Sequence, residues 1–107
     1  FEHLSEIEQI NLPSRSKEIK PVYHVFQIQC ERRDELISHL ESNGVQSLIH
    51  YPIPISEQPA FKKVCDKKFK LAECDRLAQN SLSLPIFPGI TEDEIEMVVS
   101  TIKNFYS

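Results

Sequence analysis

The sequence has no tryptophan, a single methionine and only two glycines, Gly44 and Gly89. With so few glycines, a Gly-rich phosphate cradle and a Gly-x-Ser-x-Gly nucleophile elbow are both excluded. No paired-carboxylate site can be read either. Its apolar runs are only a few residues long, so no membrane-spanning helix is predicted. Cysteine is sparse and odd in number: Cys30, Cys65 and Cys74 are widely spaced, which argues against a secreted disulfide scaffold and predicts a reducing compartment. There is no Cys-x-x-Cys and no His-x-x-x-His pair, so no metal site is predicted. Cys74 falls within a helical apolar pattern and reads as a small core residue.

Concentrated positive charge is missing too. The 12 Lys and Arg against 16 Asp and Glu leave a net charge of −4. The densest basic cluster, Lys62, Lys63, Lys67, Lys68 and Lys70, is short and interrupted by Asp66. It reads as a solvated helix face, and nucleic acid is not expected as a partner, because duplex binding needs a cationic face making several phosphate contacts. The N-terminal residues Phe1-Glu2-His3-Leu4-Ser5-Glu6 carry no basic or apolar leader pattern and no initiating methionine. They begin in mid-pattern, and the expectation is a piece of something longer.

What is present fits one domain with a single modest core, since 107 residues cannot enclose two. Leu4, Ile7 and Ile10 suggest a short helical turn leading into an extended Ile10-Asn11-Leu12-Pro13, and residues 14–20 are polar enough for a loop. A strand is predicted over residues 22–29, with Val22, His24, Phe26 and Ile28 on one face and Gln27 and Gln29 on the other. His24 on that apolar face reads as a hydrogen-bonded core histidine, with a catalytic role as the alternative. Residues 31–43 change to helical spacing, burying Leu36, Ile37 and Leu40. Gly44 supplies a left-handed stop, and Val45 can fold back on Leu40.

Residues 45–51 read as a second strand. Pro59 suits the first turn of a short helix through Ala60, Phe61 and Val64. A further helix over about residues 70–80 is expected to bury Leu71, Cys74 and Ala78, and residues 81–86 alternate like an edge strand ending at Pro85. The last element, a helix over residues 92–105, is the best specified. Thr91 with Glu94 forms a capping box, Ile90 with Ile95 a hydrophobic staple, and Ile95, Val98, Val99, Ile102 and Phe105 an apolar stripe. The predicted class is α+β: a small antiparallel or mixed sheet of three to four strands, with two to three helices packed on one face.

The stretch Ile49-His50-Tyr51-Pro52-Ile53-Pro54-Ile55-Ser56-Glu57-Gln58-Pro59 organises the chain. Its three prolines fix φ and remove backbone donors, which forbids a regular ladder and leaves a stiff, shaped edge. Side chains displayed on a pre-ordered segment lose little entropy on meeting a ligand. His50 and Tyr51 are neighbours, and residues adjacent on a strand point to opposite faces, so both serve one pocket only if the backbone turns at Pro52. The other reading is a proline-rich connection in which the two rings are merely half buried.

Six short stretches carry a resemblance. They are Val22-Tyr23-His24-Val25-Phe26, Arg33-Asp34-Glu35-Leu36, His50-Tyr51-Pro52-Ile53-Pro54 with Gln58-Pro59-Ala60-Phe61, Ala72-Glu73, Leu82-Ser83-Leu84-Pro85, and Thr91-Glu92-Asp93-Glu94-Ile95. In this order they resemble the C-terminal part of the DegT/StrS-type sugar aminotransferases, pyridoxal-phosphate enzymes of aspartate-aminotransferase fold. The resemblance covers residues 4–105. It implies a homodimeric cytoplasmic parent that moves an amino group from glutamate to a nucleotide-linked keto sugar.

The same resemblance implies that the cofactor and its Schiff-base lysine sit on a large domain outside this sequence. The present residues would form the small domain, a wall of the substrate pocket, inactive alone. Substrate-binding positions are then implied at His50, Tyr51, Ser56 and Gln58, with no catalytic residue in this chain. Many members have a second histidine where this chain has Ser56, which can hydrogen-bond but cannot carry a proton at neutral pH. Two other readings stay open: a sugar dehydratase of the same family, and a stand-alone small-ligand-binding or dimerisation module.

Overall fold

The computed structural model describes residues 1–65 and 70–107. The reading of Lys67 and Lys68 as part of a solvated face lies outside those residues. The chain opens with a 3-10 turn at Glu2–Glu6, whose Leu4 is buried, and continues into the two-residue strand β1 (Ile10–Asn11). Next come β2 (Phe26–Cys30), the helix α1 (Arg33–Ser42), a 3-10 turn at Ile55–Glu57 and the short helix α2 (Pro59–Val64). Helix α3 (Ala72–Asn80), strand β3 (Ser81–Leu84) and the long helix α4 (Glu92–Tyr106) complete the chain.

The sheet has the order β1-β2-β3 and is antiparallel throughout, with Phe26 opposite Leu84, Gln27 opposite Ser83, Ile28 opposite Leu82 and Gln29 opposite Ser81. This register sorts the two strands into an apolar and a polar face, because successive side chains on a strand alternate. Phe26, Ile28, Cys30, Leu82 and Leu84 form one buried cluster with Leu36 and Leu40 of α1 and Val98, Val99 and Ile102 of α4. Gln27, Gln29, Ser81 and Ser83 occupy the opposite face. Ser81 and Ser83 are nevertheless buried, so that face is covered as well.

The helix ends follow local chemistry. Gly44 takes φ +76°, its N–H donates to the Glu41 carbonyl, and the Val45 N–H donates to the Leu40 carbonyl at 2.9 Å. This is the glycine-terminated reversal that buries Val45 against the core, as the sequence predicts. At α4 the Thr91 hydroxyl accepts from the Glu94 N–H at 3.2 Å, and the Glu94 carboxylate accepts from the Thr91 N–H at 2.8 Å. The capping box is therefore formed, and the partly buried Ile95 packs on the core. Pro59 opens α2. The Arg33 guanidinium, at the start of α1, donates to the Ala78 carbonyl near the end of α3, which ties the two helices together.

Three expectations are corrected. The first is the strand over residues 22–29, which begins only at Phe26. Tyr23 adopts φ +33°, outside extended geometry, so Val22 is 95% exposed and His24 is exposed and not in the core. The Tyr23 ring instead packs near Phe26, and the Arg15 guanidinium lies over it at 5.0 Å. The second is residues 45–51, which do not form a ladder strand. Leu48 alone bridges to Ser83, at the free edge of β3. β3 has only four residues, Pro85 follows it without an N–H, and Pro52 and Pro54 remove donors on the other side.

The third correction concerns α3. Among its described residues only Ala78 is buried, while Leu71 and Leu77 are 43% and 42% exposed and Cys74 is exposed. Their helical spacing marks a stripe that lines a surface groove and not the core, because α1 and α4 already fill the apolar side of the sheet.

Candidate functional site

The groove lies between the proline segment and α3, over the polar face of the sheet. Its volume is about 460 Å³. Ile53, Pro54, Ile55 and Ser56 line one side, Leu71, Cys74, Leu77 and Ala78 the other, and Gln27, Ser81, His50 and Tyr51 also border it. Its apolar walls with a few polar groups among them follow the usual make-up of a small-molecule site.

His50 is held at two points, and the chain leading to it at a third. Its carbonyl accepts from the Gln27 amide nitrogen at 2.6 Å, and its ring Nδ1 lies 2.9 Å from Ser83 Oγ. Two residues earlier, the Leu48 N–H donates to the Ser83 carbonyl at 3.1 Å and the Ser83 N–H donates back at 2.8 Å. Half-buried His50 therefore leaves the sheet edge from a fixed origin, held by a single bridge and not by the strand that the sequence predicts. Tyr51 is 75% exposed, and its ring meets the imidazole edge-on with centroids 5.5 Å apart. The His50–Tyr51 peptide bond is cis. Both rings border the same groove, and Ser56 lies along its wall.

Gln58 takes a different position. It does not line the groove, and its amide donates to the Ile53 carbonyl at 3.2 Å, bracing the proline segment just before α2. The fold thus brings His50, Tyr51 and Ser56 together and sets Gln58 behind them. Sequence reading missed Gln27, Ser81 and Ser83 behind the histidine, and the stripe Leu71, Cys74 and Leu77. The signal for the first set was available: polar side chains at alternate positions of two otherwise apolar strands. Nothing local distinguished the α3 stripe from a core stripe.

Among the described residues no carboxylate or ammonium group borders the groove, and its polar chemistry there is that of an imidazole, a phenol, hydroxyls, an amide and a thiol able to orient a polar ligand between apolar walls. Among the described residues, no three His, Cys, Asp or Glu side chains are placed to share a metal ion. The described lysines do not suit a Schiff base, which needs a buried amine. Lys17, Lys20, Lys62, Lys63 and Lys70 are exposed, Lys62 pairs with Glu57 at 2.6 Å, and Lys103 pairs with Glu6 at 2.8 Å. No helix of the described chain is long and apolar enough to cross a membrane.

Comparison with known proteins agrees with this architecture. Residues 1–103 match the sequence model of the DegT/DnrJ/EryC1/StrS aminotransferase family. The dTDP-3-amino-3,4,6-trideoxy-alpha-D-glucose transaminase of Streptomyces venezuelae is 33% identical over 102 residues, covering 95% of this chain and 27% of the relative. The UDP-N-acetyl-3-dehydro-alpha-D-glucosamine 3-aminotransferase of Acidithiobacillus ferrooxidans is 34% identical, over 95% of this chain and again 27% of the relative. The chain thus spans about a quarter of these relatives' length, and it matches their C-terminal part.

Among solved structures, S. venezuelae DesV in complex with a ketimine intermediate superposes with a TM-score of 0.90 at 32% identity, covering 99% of this chain and 29% of that one. NtdA of Bacillus subtilis with bound cofactor PMP superposes with a TM-score of 0.80 at 25% identity, covering 96% and 24%. With residues 1–103 of the chain matched by the family model and the fold shared with solved members, the chain belongs to the DegT/DnrJ/EryC1/StrS aminotransferase family.

Proposed function

We propose that this chain is the small C-terminal domain of a pyridoxal-phosphate-dependent nucleotide-sugar aminotransferase, and that the groove beside His50 and Tyr51 forms a wall of the substrate pocket. The parent protein transfers an amino group from glutamate to a keto sugar carried on a nucleotide, and works as a cytoplasmic homodimer. The observation that carries this reading is the anchored His50 beside Tyr51 at the mouth of an apolar groove, in a chain of this family.

The described lysines are exposed or ion-paired, which supports placing the cofactor and its lysine on the rest of the protein and supports the reading that this domain is inactive alone. What these residues contribute is binding and orientation. The Tyr51 hydroxyl and the free ring nitrogen of His50 hydrogen-bond a sugar hydroxyl or the donor's carboxylate, and the apolar walls keep bulk water from that side. Holding a substrate at the reacting distance turns an encounter into an effectively unimolecular step.

The test uses the full-length enzyme. His50→Ala and Tyr51→Phe are each expected to lower kcat/KM by on the order of tenfold through loss of a hydrogen bond to substrate. Cofactor content, read from its absorbance, is expected to stay unchanged. Wild-type kinetics in both variants would remove these residues from the site.

A further inference from the structure

We propose that Ser83 is a positioning residue: its hydroxyl aims the His50 imidazole so that Nε2 meets the substrate. The inference rests on the reading of His50 as a substrate-contacting residue and assigns a role to a side chain that does not itself border the groove. Ser83 lies on β3, opposite Gln27 in the register, and is only 5% exposed. Its main-chain N–H and carbonyl are both engaged with Leu48, so its position is set before the side chain is considered. Among the described residues the Ser83 hydroxyl has one hydrogen-bond partner, His50 Nδ1 at 2.9 Å.

The chemistry of the pair follows from its atoms. With Nδ1 committed to Ser83, Nε2 is the ring nitrogen left for a ligand. A serine hydroxyl both donates and accepts and rotates to suit. When Nδ1 carries a proton, Ser83 Oγ accepts from it; when Nδ1 is bare, the hydroxyl donates to it. The ring therefore keeps its anchor in either tautomer, and Nε2 can donate to a ligand or accept from it. A carboxylate in place of Ser83 would hold the proton on Nδ1 and, in the neutral ring, leave Nε2 as an acceptor alone.

A purely structural account makes Ser83 a small polar residue filling a buried strand position. That account is distinguishable, because residues acting through one another are non-additive while independent ones add. In the full-length enzyme, the half-reactions with L-glutamate and with UDP-N-acetyl-3-dehydro-alpha-D-glucosamine are measured for wild type, His50→Ala, Ser83→Ala and the double variant. The cycle is evaluated on each half-reaction that His50→Ala slows.

Ser83→Ala is expected to slow that reaction by about fivefold through loss of a single neutral hydrogen bond. The expected effect falls mainly on the rate and less on apparent substrate affinity, and it disappears when His50 is already alanine. In 15N-histidine-labelled protein, Ser83→Ala should also shift the His50 Nδ1 resonance. Should Ser83→Ala not fold, Ser83→Cys runs the same cycle, since it keeps the volume with a weaker hydrogen-bonding group. An equal loss with and without His50, or no loss beside an impaired His50→Ala, overturns the positioning role and leaves the site reading standing. A His50→Ala enzyme that runs both half-reactions like wild type overturns both.

Discussion

Cys30 and Cys74 carry the same side chain into opposite surroundings. Cys30 ends β2 inside the core, where burial pushes its thiol up to about 11 and the Arg33 guanidinium only partly opposes the shift. Cys74 stands exposed on α3 at the edge of the groove. Since the thiolate is the reactive form, a maleimide at pH 8 is expected to label Cys74 in the native protein and to spare Cys30. Peptide mapping checks this, and equal labelling rates would contradict the buried assignment. The raised value also has a consequence for stability. The folded state holds the Cys30 proton more tightly than the unfolded chain, so its contribution is complete below the ordinary value of 9.0 and is lost as pH rises to about 11. Cys30→Ala should flatten the alkaline fall in stability through that window.

At the scale of elements, α4 was legible because its determinants are local. Thr91 and Glu94 are three residues apart, and the capping box needs nothing from the rest of the fold. Thr91→Ala is expected to cost about 1 kcal/mol in urea unfolding, the usual value of an N-cap. The Glu94 carboxylate is held below its ordinary 4.5 by the Thr91 backbone N–H and hydroxyl. Its contribution is therefore present above that value and lost as the pH falls further. Ile102, fully buried among α1, α4 and the sheet, belongs to the helix's other role. Ile102→Ala is expected to cost about 2–5 kcal/mol, because the transfer term and the residual cavity add. A loss below 1 kcal/mol would mean that the seam between α1 and α4 collapses to fill the space. The helix α3 and its buried Ala78 follow the sequence, but the expected burial of Leu71 and Cys74 failed for the converse reason. Leu71, Cys74 and Leu77 have core spacing, but which surface an amphipathic stripe meets is decided by elements distant in sequence.

Across the whole molecule, most of the described large apolar side chains left in water border the groove or the hollow beside it, where the chain is proposed to meet substrate and the remainder of its parent. Ile19, Val22, Val64 and Met97 lie elsewhere. Ile53, Ile55, Leu71 and Leu77 border the groove, while Leu48 and Phe87 line a neighbouring hollow beyond His50. Exposed apolar surface gathered in this way marks an interaction site. The isolated chain is expected to bind an apolar dye and to self-associate without limit in sedimentation, whereas the full-length protein should leave the dye dark and sediment as one discrete dimer. Monodisperse, dye-silent behaviour of the isolated chain would favour the stand-alone module over the small-domain reading.

The sequence by itself determined the α+β class, the C-terminal stop of α1 and the N-terminal cap of α4, the buried stripe Leu36, Leu40, Val98, Val99 and Ile102, and the family, because these rest on spacing, turn chemistry and ordered motifs within short stretches. It also singled out His50 and Tyr51, since a histidine and a tyrosine before alternating prolines stand out locally. Only the tertiary structure decided that Tyr23 turns Val22 and His24 out of the sheet, that residues 45–51 make a single bridge, and that the α3 stripe faces the groove. It alone set Ser83 and Gln27 behind His50, 33 and 23 residues away along the chain. Strand register creates such pairings, and register is a property of how strands meet, which no single strand's sequence contains.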